Sequence, residues 1–196
     1  MDASALATQR PKRPEVSPLI YPLDEFCARD GRPLPAITSI PGTRVPEPYR
    51  SLLVHDQDMT PTLEKFFQRT LHLELLSREQ RGDFYFREVV LRLDGTEQPV
   101  EFGAIKINLA VFPNAARREI LEERLPLGHI LAEHRIAHAS RPKAFLRVKP
   151  DDFINRALRL NGARNLFGRR NTLLDRAQHP IAEIVEILPP VHSRSF

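Results

Sequence analysis

The sequence predicts an α+β fold, an antiparallel β-sheet with helices packed against it. Strand-like runs come in blocks, at 71–76, 84–93 and 102–112 and again at 145–149, 167–174 and 181–188. Helical windows cluster near 23–29, 60–67 and 115–124 instead of alternating with them. Consecutive strands with clustered helices lead to such a layer, and nothing resembles the strand–helix alternation of a parallel sheet.

The elements follow in chain order. Pro11, Pro14 and Pro18 among charged residues cannot seed regular structure, so residues 1–18 are expected to be a mobile tail. Residues 19–48 read as a proline-rich arm wrapped over the core, after a short helix near Leu23 to Arg29. The main domain is expected over 49–190 and a C-terminal tail over 191–196. Thr60 reads as an N-cap with Pro61 at the first helical position, and Leu63, Phe66, Phe67 and Leu71 as the stripe facing the core. Asp94-Gly95 is a turn signal between two strands. Ile120, Leu121 and Leu125 are available to pack from the helix near 115–124.

Two charges lie inside apolar strand runs. Arg87 shares a strand face with Tyr85, Val89 and Leu91, and Glu186 with Ile184 and Leu188, because side chains alternate between faces. A charge on an apolar face costs several kcal/mol unless it meets an opposite charge or a ligand. The pair therefore marks a polar small-molecule site, a structural ion pair, or a wet sheet edge.

Composition excludes several function classes. Hydrophobic residues at 41% and charged residues at 28% are ordinary for a soluble globular chain, and a net charge of +4 is no nucleic-acid footprint. Cys27 is the only cysteine, which rules out an intramolecular disulfide and points to a reducing, cytoplasmic setting. No run is long enough to span a bilayer, and the N-terminus does not read as a secretory signal. His134 and His138 are four apart, but Arg135 lies between them and the segment is no clear helix, so they read as wet or connecting residues and no metal site is expected. Phosphate-binding glycine loops and nucleophile elbows are absent. Arg164, Arg169 and Arg170 beside Phe167 read as a solvated strand edge, and nucleic-acid binding is not expected.

Taken in order, seven segments resemble the chorismate lyase (chorismate pyruvate-lyase) family, in particular its divergent branch. They are Leu52-Leu53…Asp58-Met59-Thr60, Arg87-Glu88-Val89, Asp94-Gly95, Phe102-Gly103, Pro126-Leu127-Gly128, Leu166-Phe167-Gly168-Arg169-Arg170 and Glu186-Ile187-Leu188-Pro189. The resemblance implies a sheet of about six strands with helices on one side and a closed internal ligand cavity. It implies elimination of pyruvate from chorismate to leave 4-hydroxybenzoate, with no metal or organic cofactor, in a monomer. Matched by motif, Arg87 corresponds to the arginine holding the ring carboxylate and Glu186 to the carboxylate at the ring hydroxyl. Met59, Leu127 and Gly128 correspond to pocket-lining positions. The family's second arginine, after the glycine of the third strand, is Ala104 here, and Lys106 is the candidate substitute. The resemblance thus implies a chorismate lyase that uses Arg87, Glu186 and Lys106. The alternative is a non-catalytic binding or sensor protein, since the fold also resembles the effector-binding domain of certain bacterial transcription regulators. The proline-rich first 48 residues do not read as a winged-helix domain.

Overall fold

Alternating apolar residues in the central segments give long strands that pair in sequence. In the computed structural model, which describes residues 19–162 and 164–191, β2 (Leu71–Arg81), β3 (Phe84–Leu93) and β4 (Pro99–Asn108) form a meander. Arg81 faces Phe84 across a two-residue turn in which Gly82 takes a positive φ of 59°. The Asp94-Gly95 turn lies between β3 and β4 as predicted, with Gly95 at φ 76°. β5 (Ala139–Lys149), β6 (Leu166–Leu174) and β7 (Pro180–Leu188) form the second half, and β1 (Ala36–Ile40) adds to the β5 edge. The result is one antiparallel sheet of seven strands in the order β1-β5-β6-β7-β4-β3-β2, joined at its centre by β4 and β7.

Helices α2 (Tyr49–Leu53), α3 (Met59–Phe67), α4 (Asn114–Glu122) and α5 (Leu127–Glu133) cover one face. Under them lie Leu73, Val89, Leu91, Ile105, Leu173 and Ile184, the inward set of each strand. The opposite face is closed by the shorter α1 (Leu23–Arg29) and α6 (Asp152–Ala157), which pack on Phe86, Phe102, Leu146, Val148, Val185 and Ile187. The proline-rich arm thus supplies both α1, at its predicted position, and the edge strand β1.

Several boundaries differ from the sequence reading. β4 begins at Pro99 and ends at Asn108, after which Leu109–Val111 turn as 3-10 helix, so the expected strand at 102–112 is displaced toward the N-terminus. β5 extends back to Ala139 because a bulge between Pro142 and Ala144 absorbs the proline. Helix α3 begins at Met59, with Asp58 and not Thr60 as its N-cap. The Asp58 carboxylate makes no capping bond, because it is engaged by His138 Nε2 at 2.8 Å. Pro61 still lies in the first turn, where backbone N–H groups have no helical partner. Leu121 is 38% exposed and is not part of the core, whereas Ile120 is fully buried. Among the described residues, no helix is long and apolar enough to cross a membrane. The tail expected at 1–18 lies outside the described residues, as does all but Val191 of the tail expected at 191–196.

Candidate functional site

Between the sheet and the roof made by α3 and α5 lies a cavity of about 60 Å3. Strand register fixes its floor in rows. Arg87, Ile105, Ile184 and Asn171 form one row across β3, β4, β7 and β6, and Val89, Gly103, Glu186 and Arg169 form the next. Glu101, opposite Leu91, begins a third. With strands ~4.8 Å apart and ~3.3 Å rise per residue, the Cα atoms of Arg87 and Glu186 are about 12 Å apart. Met59, Thr60, Pro126, Leu127, Gly128 and Leu131 complete the enclosure from above. Arg87, Glu186, Met59, Leu127 and Gly128, all singled out in the sequence, therefore meet around one cavity.

Glycines hold the space open. A Cβ on Gly128 would lie 2.9 Å from Thr60 Cβ and Oγ1, so only glycine lets the start of α5 approach α3 this closely. A Cβ on Gly103 would rise from the floor, 3.2 Å from Val89 Cγ2 and 3.3 Å from Glu101 Oε1.

The charges are distributed unevenly. Arg87 is 1% exposed, and its Nε and Nη1 are buried with no hydrogen-bond partner. Burial pulls its pKa down to about 10, against an opposing pull from Tyr85 and Glu123, so it remains a cation at neutral pH. Glu186 is bonded to Arg169 Nε. The rest of the Arg169 guanidinium donates to the carbonyls of His55 (3.1 Å) and Gln57 (3.0 Å) in the segment leading into α3. Arg169 thus ties the roof to the floor and is fully buried, which corrects its reading as part of a solvated basic edge. The cluster is split by strand alternation, for Arg170 points to the other face and pairs with Glu183 at 3.3 Å, while Arg164 is exposed. Glu101 is 5% exposed and its Oε2 has no partner. Burial, reinforced by Glu186 and opposed by Arg169, pushes its pKa well up and favours the protonated carboxyl. Asn171 donates to Ser140 Oγ at 2.8 Å and leaves its Oδ1 unpaired.

Lys106 does not join the site. The β4 residues lining the cavity are Glu101, Gly103 and Ile105, so Ala104 and Lys106 face the other way by strand alternation. Lys106 Nζ lies 3.4 Å from Glu183 Oε2 and over the rings of Phe84 and Tyr21. The two histidines tested as metal ligands also separate, His134 to Glu119 at 3.1 Å and His138 to Asp58. Among the described residues, no group of three or more His, Cys, Asp or Glu could hold a metal ion.

Sequence reasoning missed Glu101, Arg169 and Asn171. Glu101 was hidden by starting the strand at Phe102. Once Pro99 opens the strand, its parity with Gly103 turns it inward. Arg169 was findable as the residue opposite Glu186, but only after β6 and β7 are paired.

No family model matches this chain, and no curated protein matches it. Solved structures do. PhnF from Mycobacterium smegmatis superposes with a TM-score of 0.51 at 15% identity, covering 70% of this chain and 69% of that one. The effector domain of PhnF, from the same organism, also gives 0.51 at 15% identity, over 67% of this chain and 87% of the domain. The ligand-binding domain of a protein assigned to the GntR family of transcriptional regulators, from Bordetella bronchiseptica, gives 0.49 at 12% identity, over 62% and 87%. The chain has a chorismate lyase-like α+β fold, shared with the effector domain of PhnF.

Proposed function

We propose that this protein binds a small cyclic monocarboxylic acid of the hydroxybenzoate type in the cavity, with Arg87 holding the carboxylate, and acts as a receptor for that molecule and not as an enzyme. The observation that carries the reading is the buried Arg87 guanidinium with two unpaired nitrogens facing an apolar cavity. A carboxylate satisfies such a fork, and few neutral ligands do. Leu73, Val89, Leu91, Ile105 and Leu131 supply apolar walls for a ring.

The charge inventory favours one negative charge. Arg169 is bonded to Glu186, Asp58 is bonded to His138, and burial disfavours the charged form of Glu101, which leaves Arg87 as the cation of the cavity lining without a carboxylate partner. Chorismate is a dianion. Its second carboxylate would meet no free cation among the described lining residues, since Lys106 faces away. An apolar cavity of about 150 Å3 accommodates benzene, so ring entry into 60 Å3 requires the roof at Met59 and Leu127 to move outward. Met59, unbranched, is suited to that repacking. The PhnF domain of like fold is described as an effector domain, which supports reception of an effector molecule.

Chorismate lyase activity is the second reading, favoured by Arg87 and Glu186 lining one cavity as the motif resemblance requires. One experiment separates the two. Purified protein is titrated with 4-hydroxybenzoate by calorimetry and, in parallel, incubated with chorismate while pyruvate and hydroxybenzoates are followed by chromatography. The receptor reading expects saturable 1:1 binding, lost in Arg87→Met, and no pyruvate above the uncatalysed level. Equal amounts of pyruvate and 4-hydroxybenzoate, abolished in the variant, would instead establish the lyase.

A further inference from the structure

The end of the cavity away from Arg87 holds more carboxyl groups than its cations account for. Glu186 and Glu101 both line it, and Arg169 is the cation beside them. Arg169 bonds Glu186 and spends its remaining donors on the backbone of the roof segment. Glu101 is left with an oxygen that is buried, unpartnered and part of the cavity lining. A buried polar atom without a partner destabilises the empty protein. That cost is relieved when a ligand supplies the missing hydrogen bond. Gly103 sits beside it, and its absent side chain leaves the route from Arg87 to Glu101 clear along the floor.

We infer that Glu101 is a second ligand-binding residue, a neutral carboxyl that donates a hydrogen bond from Oε2 to an uncharged oxygen on the ligand. This rests on the monocarboxylate reading above and narrows it. The ligand class is a ring acid with its carboxylate at Arg87 and a hydroxyl or ether oxygen on the other side of the ring. Glu101 acts as the specificity determinant against acids that lack that oxygen. The raised pKa of Glu101 agrees, because only the protonated carboxyl can donate. Glu186, paired with Arg169, can accept from the same hydroxyl.

The test compares benzoate, 3-hydroxybenzoate and 4-hydroxybenzoate by calorimetry in the wild type, Glu101→Leu and Glu101→Gln. The expected result is that the better hydroxybenzoate binds the wild type about tenfold more tightly than benzoate, the value of one good buried hydrogen bond. Glu101→Leu should bring the two acids to within about twofold of each other. Glu101→Gln, uncharged and still a donor, should keep most of the preference, and it serves as the test should the leucine variant fail to fold. Equal wild-type affinities for all three acids, or an undiminished preference in Glu101→Leu, would overturn the inference and leave the carboxylate reading standing. A preference lost in Glu101→Gln would overturn it as well. Failure of every acid to bind the wild type would overturn both.

Discussion

The two faces of the sheet handle buried charge in opposite ways. On the face closed by α1 and α6, Arg32, Lys106 and Arg170 each meet a carboxylate, although Glu88 Oε2 and two Arg32 nitrogens make no hydrogen bond. Arg32 meets fully buried Glu88 at 2.6 Å, and Glu183 lies between Lys106 at 3.4 Å and Arg170 at 3.3 Å. On the cavity face, Arg87 forms no ion pair among the described residues and Glu101 keeps an orphan oxygen. Both faces are apolar layers of the same strands, so hydrophobicity does not distinguish them. What distinguishes them is whether a buried cation meets a carboxylate of the protein itself. Breaking a far-face pair would strand a buried charge, whereas the unpaired groups on the cavity face are already a cost, one that a ligand would offset.

Removing one charge from each face sharpens that contrast most. Glu88→Ala should leave Arg32 largely uncompensated and lower stability by about 3 kcal/mol, yet change hydroxybenzoate affinity by less than twofold. Arg87→Met should do the reverse. Its unliganded form should be at least as stable as the wild type, because a buried uncompensated charge is replaced by an apolar chain of similar length, while affinity falls about 100-fold. Denaturant unfolding and calorimetry on the same samples read both quantities. If each substitution lowers both, the two faces are not separable as argued.

A smaller effect is expected from the cavity floor. Gly103→Ala puts a methyl group at 3.2–3.3 Å from Val89 and Glu101, so hydroxybenzoate affinity should drop about tenfold with under ~1 kcal/mol lost in stability. Smaller again is a pH effect at the roof. Asp58 holds His138 protonated above its ordinary range, through a 2.8 Å bond that also ties α3 to the start of β5. A raised folded-state pKa means this stabilisation is fully present below about pH 6.5. It is lost as pH climbs through the higher folded value. Ligand release should therefore quicken as pH rises through that folded value, and His138→Ala should abolish that dependence, seen in stopped-flow dissociation. Lys106→Ala should change affinity by less than twofold, the smallest effect, since its side chain leaves the sheet on the far face. A large effect would reverse the assignment of β4 faces.

The same alternation explains what could be read from the sequence. Arg87 and Glu186 were legible because each interrupts an apolar run, so parity alone set them on a buried face. Lys106 misled because position 104 was taken from motif order, and 104 and 106 share the parity opposite to Gly103. Arg169 was obscured because adjacent arginines resemble a wet edge, although one of any neighbouring pair in a strand must point the other way. The six residues of α6, seven of α5 and five of α2 are too short for a helical period to show. They form because the sheet offers them an apolar face. β1 is an edge strand inside a proline-rich segment, where strand signals are weakest.

The most direct test of the account is a crystal structure of the protein with 4-hydroxybenzoate. The account predicts the ring between the sheet and α5, the carboxylate within hydrogen-bond distance of Arg87 Nε and Nη1, and the hydroxyl toward Glu101 and Glu186. A carboxylate bound at the Arg169 end, or a ligand seated outside the cavity with Arg87 still unpaired, would contradict it.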